Sequence, residues 1–382
     1  MDDASYSHIL SVFCSVYTTE AMEISYALKL ISSSQYRKFC IYSDSMSVLQ
    51  QLEHIESATH PILLNIADTV HCLKKKGFDI VFCWTPSHVG ILGLEEWKSV
   101  ETLMTNNNGG IIDILIVSKL SKDQLRIVAN TPKVLTKVQN LLEGFEGDVS
   151  FKIADERYYF IFQGPECATF LEYFFLEVEN LPSMCCKEYE TMVVLFEYIS
   201  ALLTRNIDTE EDGYSMACEG GFSLIYDMQS AVDRPEMPLI GLEAKECLRI
   251  EAGKCLSGYD IDEDTTPVEA QLTHLISDRK KKEGGFPGSE RILKQLRDGP
   301  SIIRRGFISK EGRLRRGDTV SSPTGQKIGF VTSGAYSPIA KEFIGMGYID
   351  ATYSTKNDEI VFNNTIKGKF HKFPFVNKGE PR

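Results

Sequence analysis

No two of the ten cysteines form a Cys-x-x-Cys pair, so the commonest zinc and dithiol signatures are missing. Cys185 and Cys186 are adjacent and poorly placed to bridge to each other. The reading is of reduced thiols in an intracellular protein with no metal site. No apolar run approaches the roughly 18–20 residues that span a membrane. The opening MDDASYSHIL is acidic and lacks arginine, which reads as neither a secretory signal nor an organelle transit peptide. A basic excess is lacking too: 41 Lys and Arg face 53 Asp and Glu, for a net charge of −12. A dedicated nucleic-acid binder normally carries a basic face, so at most a small basic pocket is left for that role. No internal repeat or low-complexity tract stands out.

What is present is a chain of 382 residues, 43% of them apolar, enough for two or three domains with real cores. Residues 8–98 alternate strand and helix signals. Ile9 to Tyr17, Lys38 to Tyr42 and Asp79 to Trp84 read as strands, while Glu20 to Ile31, Ser45 to Leu52 and Ile62 to Lys75 carry helical spacing. That is an α/β pattern. The turn cluster TNNNGG at 105–110 is a candidate junction. Beyond it the pattern predicts strands IIDILIV and LRIVAN, a helix over 132–143, strands near 149–154 and 157–162, and a helix after the QGP turn. Residues 183–235 have no clear period, and 241–252 reads as a helix stopped by Gly253. In TTPVEAQLTHLIS, Thr266, Pro267 and Glu269 spell a capping box at a helix start, and that role explains Glu269 without chemistry. Ser289 is placed to cap ERILKQL. From Gly299 onward, short apolar runs between Gly, Pro and Asn predict a small all-β domain.

Two stretches carry family resemblances. VYTTEAMEISYAL, FCIYSDSMSVLQQL and FCWTPSHVGILG, over about residues 5–98, resemble blocks of the ribonuclease H-like domain at the end of retrotransposon reverse transcriptases. That resemblance maps Glu20 and Asp44 to two of four metal-holding acids and His88 to the family histidine. The first acid has no counterpart here, and the last falls at Lys98. Two-ion phosphodiester cleavage needs several carboxylates around both metals, so the segment is expected to be an inactive fragment that binds no metal. Without the family, Glu20 and Asp44 read as ordinary surface acids and His88 as a loop residue.

The longer resemblance covers about residues 100–378. NNNGGIIDILIV, YFIFQGP, EEDGYSM, GLEAKECLRIEAGKCLSGYDIDEDTTPVEAQLTHLI, GGFPGSERILKQL and IGFVTSGAYSP follow one another, as in the aminomethyltransferase, or T-protein, of the glycine cleavage system. The resemblance implies transfer of a methylene from an aminomethyl-lipoyl carrier protein to tetrahydrofolate, with release of ammonia. It also implies three site residues. Asp113 matches the catalytic aspartate, and Ile114 stands where the family has a second acid. Glu211 matches the glutamate that holds the pterin. Arg249 matches an arginine assigned to substrate binding. Asp113 stands out on its own, as a lone acid in an apolar strand whose burial favours the neutral form. Its plain alternative is the solvated face of an edge strand. For Glu211 the alternative is an exposed loop acid, and for Arg249 a helix-surface ion pair. The loop around Glu211 lacks the family's glycines, which puts its geometry in question. The basic run DRKKKEGG reads as a solvated helix end.

The expected fold is therefore α+β and multidomain. A ribonuclease H-like fragment takes 1–99, an aminomethyltransferase folate-binding region without its N-terminal part takes 100–298, and an all-β domain takes 299–382. The join reads as chimeric, through a transposon fusion or a misjoined gene. Little or no transferase activity is predicted, because the family's first quarter is not matched. The alternatives are a nucleic-acid-processing ribonuclease H-like protein and a folate- or carrier-binding module without catalysis. The partners implied are the lipoyl carrier and tetrahydrofolate, with no nucleic acid and no membrane. Location is mitochondrial by resemblance, and otherwise cytoplasmic.

Overall fold

The computed structural model describes residues 38–43, 61–76, 79–84, 94–143, 149–154, 157–193, 197–206, 209, 211–219, 223–231, 238–353 and 359–376, with isolated helical positions at 25, 28–29 and 32. In the first hundred residues, β1 (Lys38–Ser43) and β2 (Asp79–Trp84) pair in parallel, and α1 (Pro61–Lys75) lies between them in sequence. A parallel pair needs a crossover of this length, and the apolar spacing of α1 puts Ile66 and Leu73 in the interior. The elements expected at 9–17 and 45–52 lie outside the described residues.

Two antiparallel sheets follow. The first is β3 (Ser99–Thr105), β4 (Ile111–Ser121) and β5 (Gln124–Ala129), in that order. Met104, Ile112, Leu115 and Val117 pack under Val134 of α2 (Lys133–Glu143). The second has the order β6-β9-β8-β7, from β6 (Tyr158–Gln163), β7 (Cys186–Val193), β8 (Glu197–Arg205) and β9 (Gly213–Cys218). Its core gathers Phe162, Tyr214 and Met216 against Phe170 and Leu171 of α3 (Cys167–Glu172) and Leu224 and Met228 of α4 (Ser223–Ala231). Backbone bonds stitch the two sheets together. Trp97 N donates to Lys119 O, Ser99 N to Met184 O, and Cys186 N to Trp97 O. Lys98 forms an antiparallel bridge with Cys185.

Helix α5 (Leu242–Glu251), α6 (Asp278–Glu283) and α7 (Ser289–Asp298) lead to a barrel. Its strands are β10 (Ile302–Ser309), β11 (Thr319–Ser321), β12 (Lys327–Ser337), β13 (Glu342–Asp350), β14 (Glu359–Phe362) and β15 (Ile366–His371). They close in the order β10-β13-β12-β11-β14-β15, with β15 back on β10. Phe307, Val320, Val331, Ile349 and Phe362 fill the interior. Ile344 and Met346 of β13 face outward, onto Ile250 of α5. The all-β domain expected from Gly299 onward is this barrel.

Three expectations need correction. Ser289 does not cap the helix ERILKQL: it is the first residue of α7, Gly288 stands at the cap position, and no side-chain cap bond forms. Residues 149–154 form no strand; Val149, Phe151 and Ile153 alternate as a half-buried strand would, yet all three are exposed. The capping box at 266 forms as read, with Glu269 N donating to Thr266 Oγ1 at 3.1 Å and Thr266 N to Glu269 Oε2 at 2.8 Å. It starts a single turn and no helix. Gln271 takes φ 58°, Leu272 N bonds to Pro267 O and Gln271 N to Val268 O. That is a Schellman stop one turn after the start.

Candidate functional site

The turn before β4 is built for close approach. Asn106 Oδ1 accepts from Asn108 N and Gly110 N at 2.9 and 3.0 Å. A Cβ on Gly110 would fall 1.6 Å from Glu263 O, and one on Gly288 would fall 2.2 Å from Gly109 Cα. The paired glycines therefore let the turn seat between the 263 loop and the start of α7.

This turn aims β4, and consecutive residues of a strand point to opposite faces. Asp113 is fully buried. Its carboxylate accepts from Ile114 N (2.8 Å), Asn130 N (2.7 Å), Thr131 N (2.8 Å), Asn130 Nδ2 (3.3 Å) and Ser257 Oγ (2.5 Å). Two carboxylate oxygens offer about four lone-pair positions, so these five donors fill them. Burial is offset by hydrogen bonding, and the chain bonded is the turn that opens α2. Ile114 takes the other face and lines a cavity.

That cavity has a volume of about 750 Å³ and lies where β3 and β4, the segment after α5, the turn at 271–275 and the barrel strands β10 and β15 meet. Its chemistry comes from Glu101, Lys254, Gln271, His274, Arg305 and Lys372. Lys254 Nζ stands 3.4 Å from Glu101 Oε2. Arg304 is committed to the wall, donating to Ala270 O and Gly253 O at 2.8 and 2.7 Å and lying 4.3 Å over the Phe373 ring. With its amide turned to donate to Arg304 O, Gln271 accepts from Arg305 Nη1 at 2.6 Å. Burial lowers the pKa of Arg305. Burial also lowers that of His274; Glu101 opposes the shift, while Lys254, Arg304 and Lys281 add to it. The cavity is thus predominantly cationic in an acidic chain.

Arg249 does not reach this cavity. It is buried between α5 and the barrel, and its five N–H groups are all used. Nε and Nη2 clamp Glu246 (2.9 and 2.6 Å), Nη1 donates to Lys254 O (3.1 Å) and Asp260 (2.8 Å), and Nη2 also reaches Ser333 Oγ (3.0 Å). Burial acts to lower its pKa, but the Glu246 hydrogen bond and the Asp260 charge outweigh burial and leave it raised. A guanidinium has five donors, so none remains for a substrate. The helix-surface ion pair is closer to this geometry than the substrate-binding role, although the pair is buried and runs to the barrel.

Glu211 lies in the turn between β8 and β9. Its neighbour Asp212 forms a two-point pair with Arg205, 2.9 Å from Nε and 2.6 Å from Nη2. Arg205 also donates to Leu181 O and Glu179 O. This pair and these bonds tie the ends of β8 and β9 together beside Glu211. Glu211 Oε2 would stand 3.6 Å from a Cβ on Gly164, which has φ 119°. Asp113, Glu211 and Arg249 therefore do not share one cavity wall. Glu20, Asp44 and His88 lie outside the described residues. Among the described residues no cluster of three or more His, Cys, Asp or Glu is placed to hold a metal, and no helix is long and apolar enough to cross a membrane.

A model of the GCVT N-terminal domain matches residues 92–280, and one of the glycine cleavage T-protein C-terminal barrel domain matches 304–377. The mitochondrial aminomethyltransferase of Solanum tuberosum is 36% identical over 298 residues, covering 75% of this chain and 72% of that protein. That of Pisum sativum is 36% identical over 318 residues, covering 80% and 76%. The chain belongs to the glycine-cleavage aminomethyltransferase family. Its fold resembles the crystal structure of glycine cleavage system aminomethyltransferase T from Bartonella henselae, with a TM-score of 0.63 and 27% identity over 75% of this chain and 78% of that one. Aminomethyltransferases of this family use tetrahydrofolate as co-substrate for the methylene they take from the carrier, and ammonia is released. The family's α+β region and closing barrel are the two sheets and the barrel described above.

Sequence reasoning missed the cavity residues. Glu101 carried a weak signal, the one charged residue in the strand SVETLMT. Lys254, His274 and Arg305 carried none, since only the tertiary fold assembles them.

Proposed function

We propose that the 750 Å³ cavity receives the tetrahydrofolate. The observation that carries this reading is its cationic lining: a volume typical of small-molecule sites with Lys254, Arg305 and Lys372 around it suits a flat ring with a tail of carboxylates. In this reading the tail lies among those cations and the pterin points towards the 205–213 turn. There the Glu211 carboxylate accepts from adjacent N–H groups of the ring. Asp113 and Arg249 act at one remove. Asp113 fixes β4 and the turn before α2, and Arg249 fixes α5 and the following segment against the barrel. The chain's partner is a lipoyl carrier protein, and its location is mitochondrial like that of its named relatives.

Equilibrium titration of the full chain with tetrahydrofolate tests the site. Arg305→Met and Glu211→Gln are each expected to weaken binding, and binding is expected to fall with added salt. Affinity unchanged in both variants would remove the cavity from consideration.

The isoleucine at 114 favours a second reading, a folate-binding module without turnover, because it puts a hydrocarbon on the cavity wall. Ammonia release from a loaded carrier separates the two. Residues 1–99 we read as an inactive ribonuclease H-like fragment carrying Glu20, Asp44 and His88. Magnesium-dependent cutting of an RNA–DNA hybrid, lost in Asp44→Asn, would overturn that.

A further inference from the structure

The cavity contains a carboxylate that the sequence resemblance did not single out. Among the described residues lining it, Glu101 is the acidic side chain. It sits on β3 opposite Ile116, with Leu103 opposite Ile114, so Glu101 and Ile114 are diagonal neighbours on one face of the sheet. Asp113, the acid next to Ile114, points to the other face with its lone pairs filled. Among the described residues, Glu101 by contrast has one long ion-pair contact, 3.4 Å to Lys254 Nζ, and the two side chains are 29% and 31% exposed.

We infer that Glu101 is the group that moves protons in the folate cavity of this chain. The assignment rests on tetrahydrofolate occupying that cavity. In the transfer, the protonated aminomethyl group on the carrier sulfur and the two N–H groups of folate become a thiol, an ammonium ion and a methylene bridge between the two folate nitrogens. Two carbon–nitrogen bonds form, while the carbon–sulfur and original carbon–nitrogen bonds break. The two protons leaving the folate nitrogens end on sulfur and on ammonia. The Glu101 carboxylate accepts one of them and returns it to a leaving group, so the residue is unchanged at the end. Besides Glu101, the charged or titratable groups lining the same cavity among the described residues are Lys254 and Cys255 on the segment after α5, His274 in the turn at 273–275, Arg304 and Arg305 on β10, His371 at the end of β15 and Lys372 just beyond it. His274, held towards its neutral form by burial, adds little positive charge beside the carboxylate near neutral pH.

Three variants of the full chain test this: Glu101→Gln, Lys254→Met and the double variant Glu101→Gln with Ile114→Asp. General acid–base groups contribute about 10²–10⁴-fold, and Glu101→Gln is expected to slow ammonia release on that order. It should also flatten the acid side of the kcat pH profile and leave the tetrahydrofolate dissociation constant unchanged. Lys254→Met removes one of the cations placed around the folate tail, so it should weaken tetrahydrofolate binding while the acid side of the kcat pH profile stays as in the unaltered chain. The double variant should regain part of the turnover, since Ile114→Asp returns a carboxylate to the same wall. Turnover with the unaltered pH profile in Glu101→Gln would overturn the assignment. So would the same flattened pH profile in Lys254→Met, which would mark a structural ion pair, and so would folate binding by the unaltered chain without any ammonia release. Failure of the unaltered chain to bind folate would instead overturn the cavity reading on which the assignment rests.

Discussion

Replacing Arg249 by methionine separates a positioning role from a substrate-binding one. The guanidinium's partners are Glu246, the Lys254 carbonyl, Ser333 and Asp260. Glu246 is one-third exposed, so water re-solvates it at small cost. Asp260 is different. Its side chain has no exposed surface, and loss of Arg249 leaves a buried charge. Breaking a buried ion pair by removing one member typically costs about 3–5 kcal/mol. Asp260 would keep Thr332 Oγ1 (2.6 Å), Ser333 Oγ (2.7 Å) and Leu256 N (3.1 Å). These hold the loss near the lower end, about 3 kcal/mol. Methionine replaces the aliphatic stem, so little packing is lost.

The assay is urea unfolding followed by far-ultraviolet circular dichroism, with tetrahydrofolate binding measured on the folded protein. The expected result is a lower midpoint with unchanged affinity. The double variant Arg249→Met with Asp260→Asn should lose less than the sum of the single variants, because the neutral amide leaves no unpaired charge. A loss below about 1 kcal/mol, the size of an exposed pair, together with weakened folate binding would refute this reasoning and return Arg249 to the substrate.

The burial that depresses the His274 pKa below its ordinary 6.5 sets a pH dependence. The unfolded chain takes up the proton first, so this group's contribution is intact above pH 6.5 and is lost as pH falls through the lower folded value. Urea midpoints at pH 7.5 and 5.5 should therefore differ less in His274→Asn than in the unaltered chain; an equal difference would argue against it. Gly288→Ala should destabilise by at least about 1–3 kcal/mol from its left-handed backbone alone, since φ is 73° and the added carbon would also meet Gly109 at 2.2 Å; a neutral result in thermal unfolding would show that the turn can retreat. Burial pushes the thiols of Cys167 up to about 12 and of Cys218 up to about 11, so both should resist alkylation at pH 8 in the native chain and react in urea. Mass spectrometry of the labelled peptides distinguishes the cases.

The elements legible in the sequence are β5, α2, α5, α7 and the barrel strands, from their spacing, and β4, from its apolar run. Strand β9 escaped because all six of its residues are buried, which erases alternation. Residues 149–153 misled for the opposite reason, alternating without a core beneath them. The capping box at Thr266 was correctly read as a local motif, but nothing local signalled that Gln271 would enter the left-handed region one turn later. That turn is held in place by Gln271's contacts to Arg304 and Arg305, more than thirty positions away. At the site, the burial of Asp113 was legible from its apolar neighbours. Its saturation was not, because Ser257 is 144 residues distant.

Asp113 attracts a functional reading as a charge in an apolar strand and Arg249 through the family resemblance, and one physical test applies to both. A buried charge is tolerable when its hydrogen-bonding capacity is met by the protein, and a group so satisfied would have to break protein bonds to hold a ligand. The five hydrogen bonds that Asp113 accepts and the five that Arg249 donates meet that condition. Glu101 and Lys254, partly exposed and 3.4 Å apart, do not. A ligand entering the cavity can replace water around them without dismantling the wall. The chemistry of this chain therefore belongs with the less buried pair, and the saturated residues hold β4 and α5 at the geometry which brings that pair to the cavity.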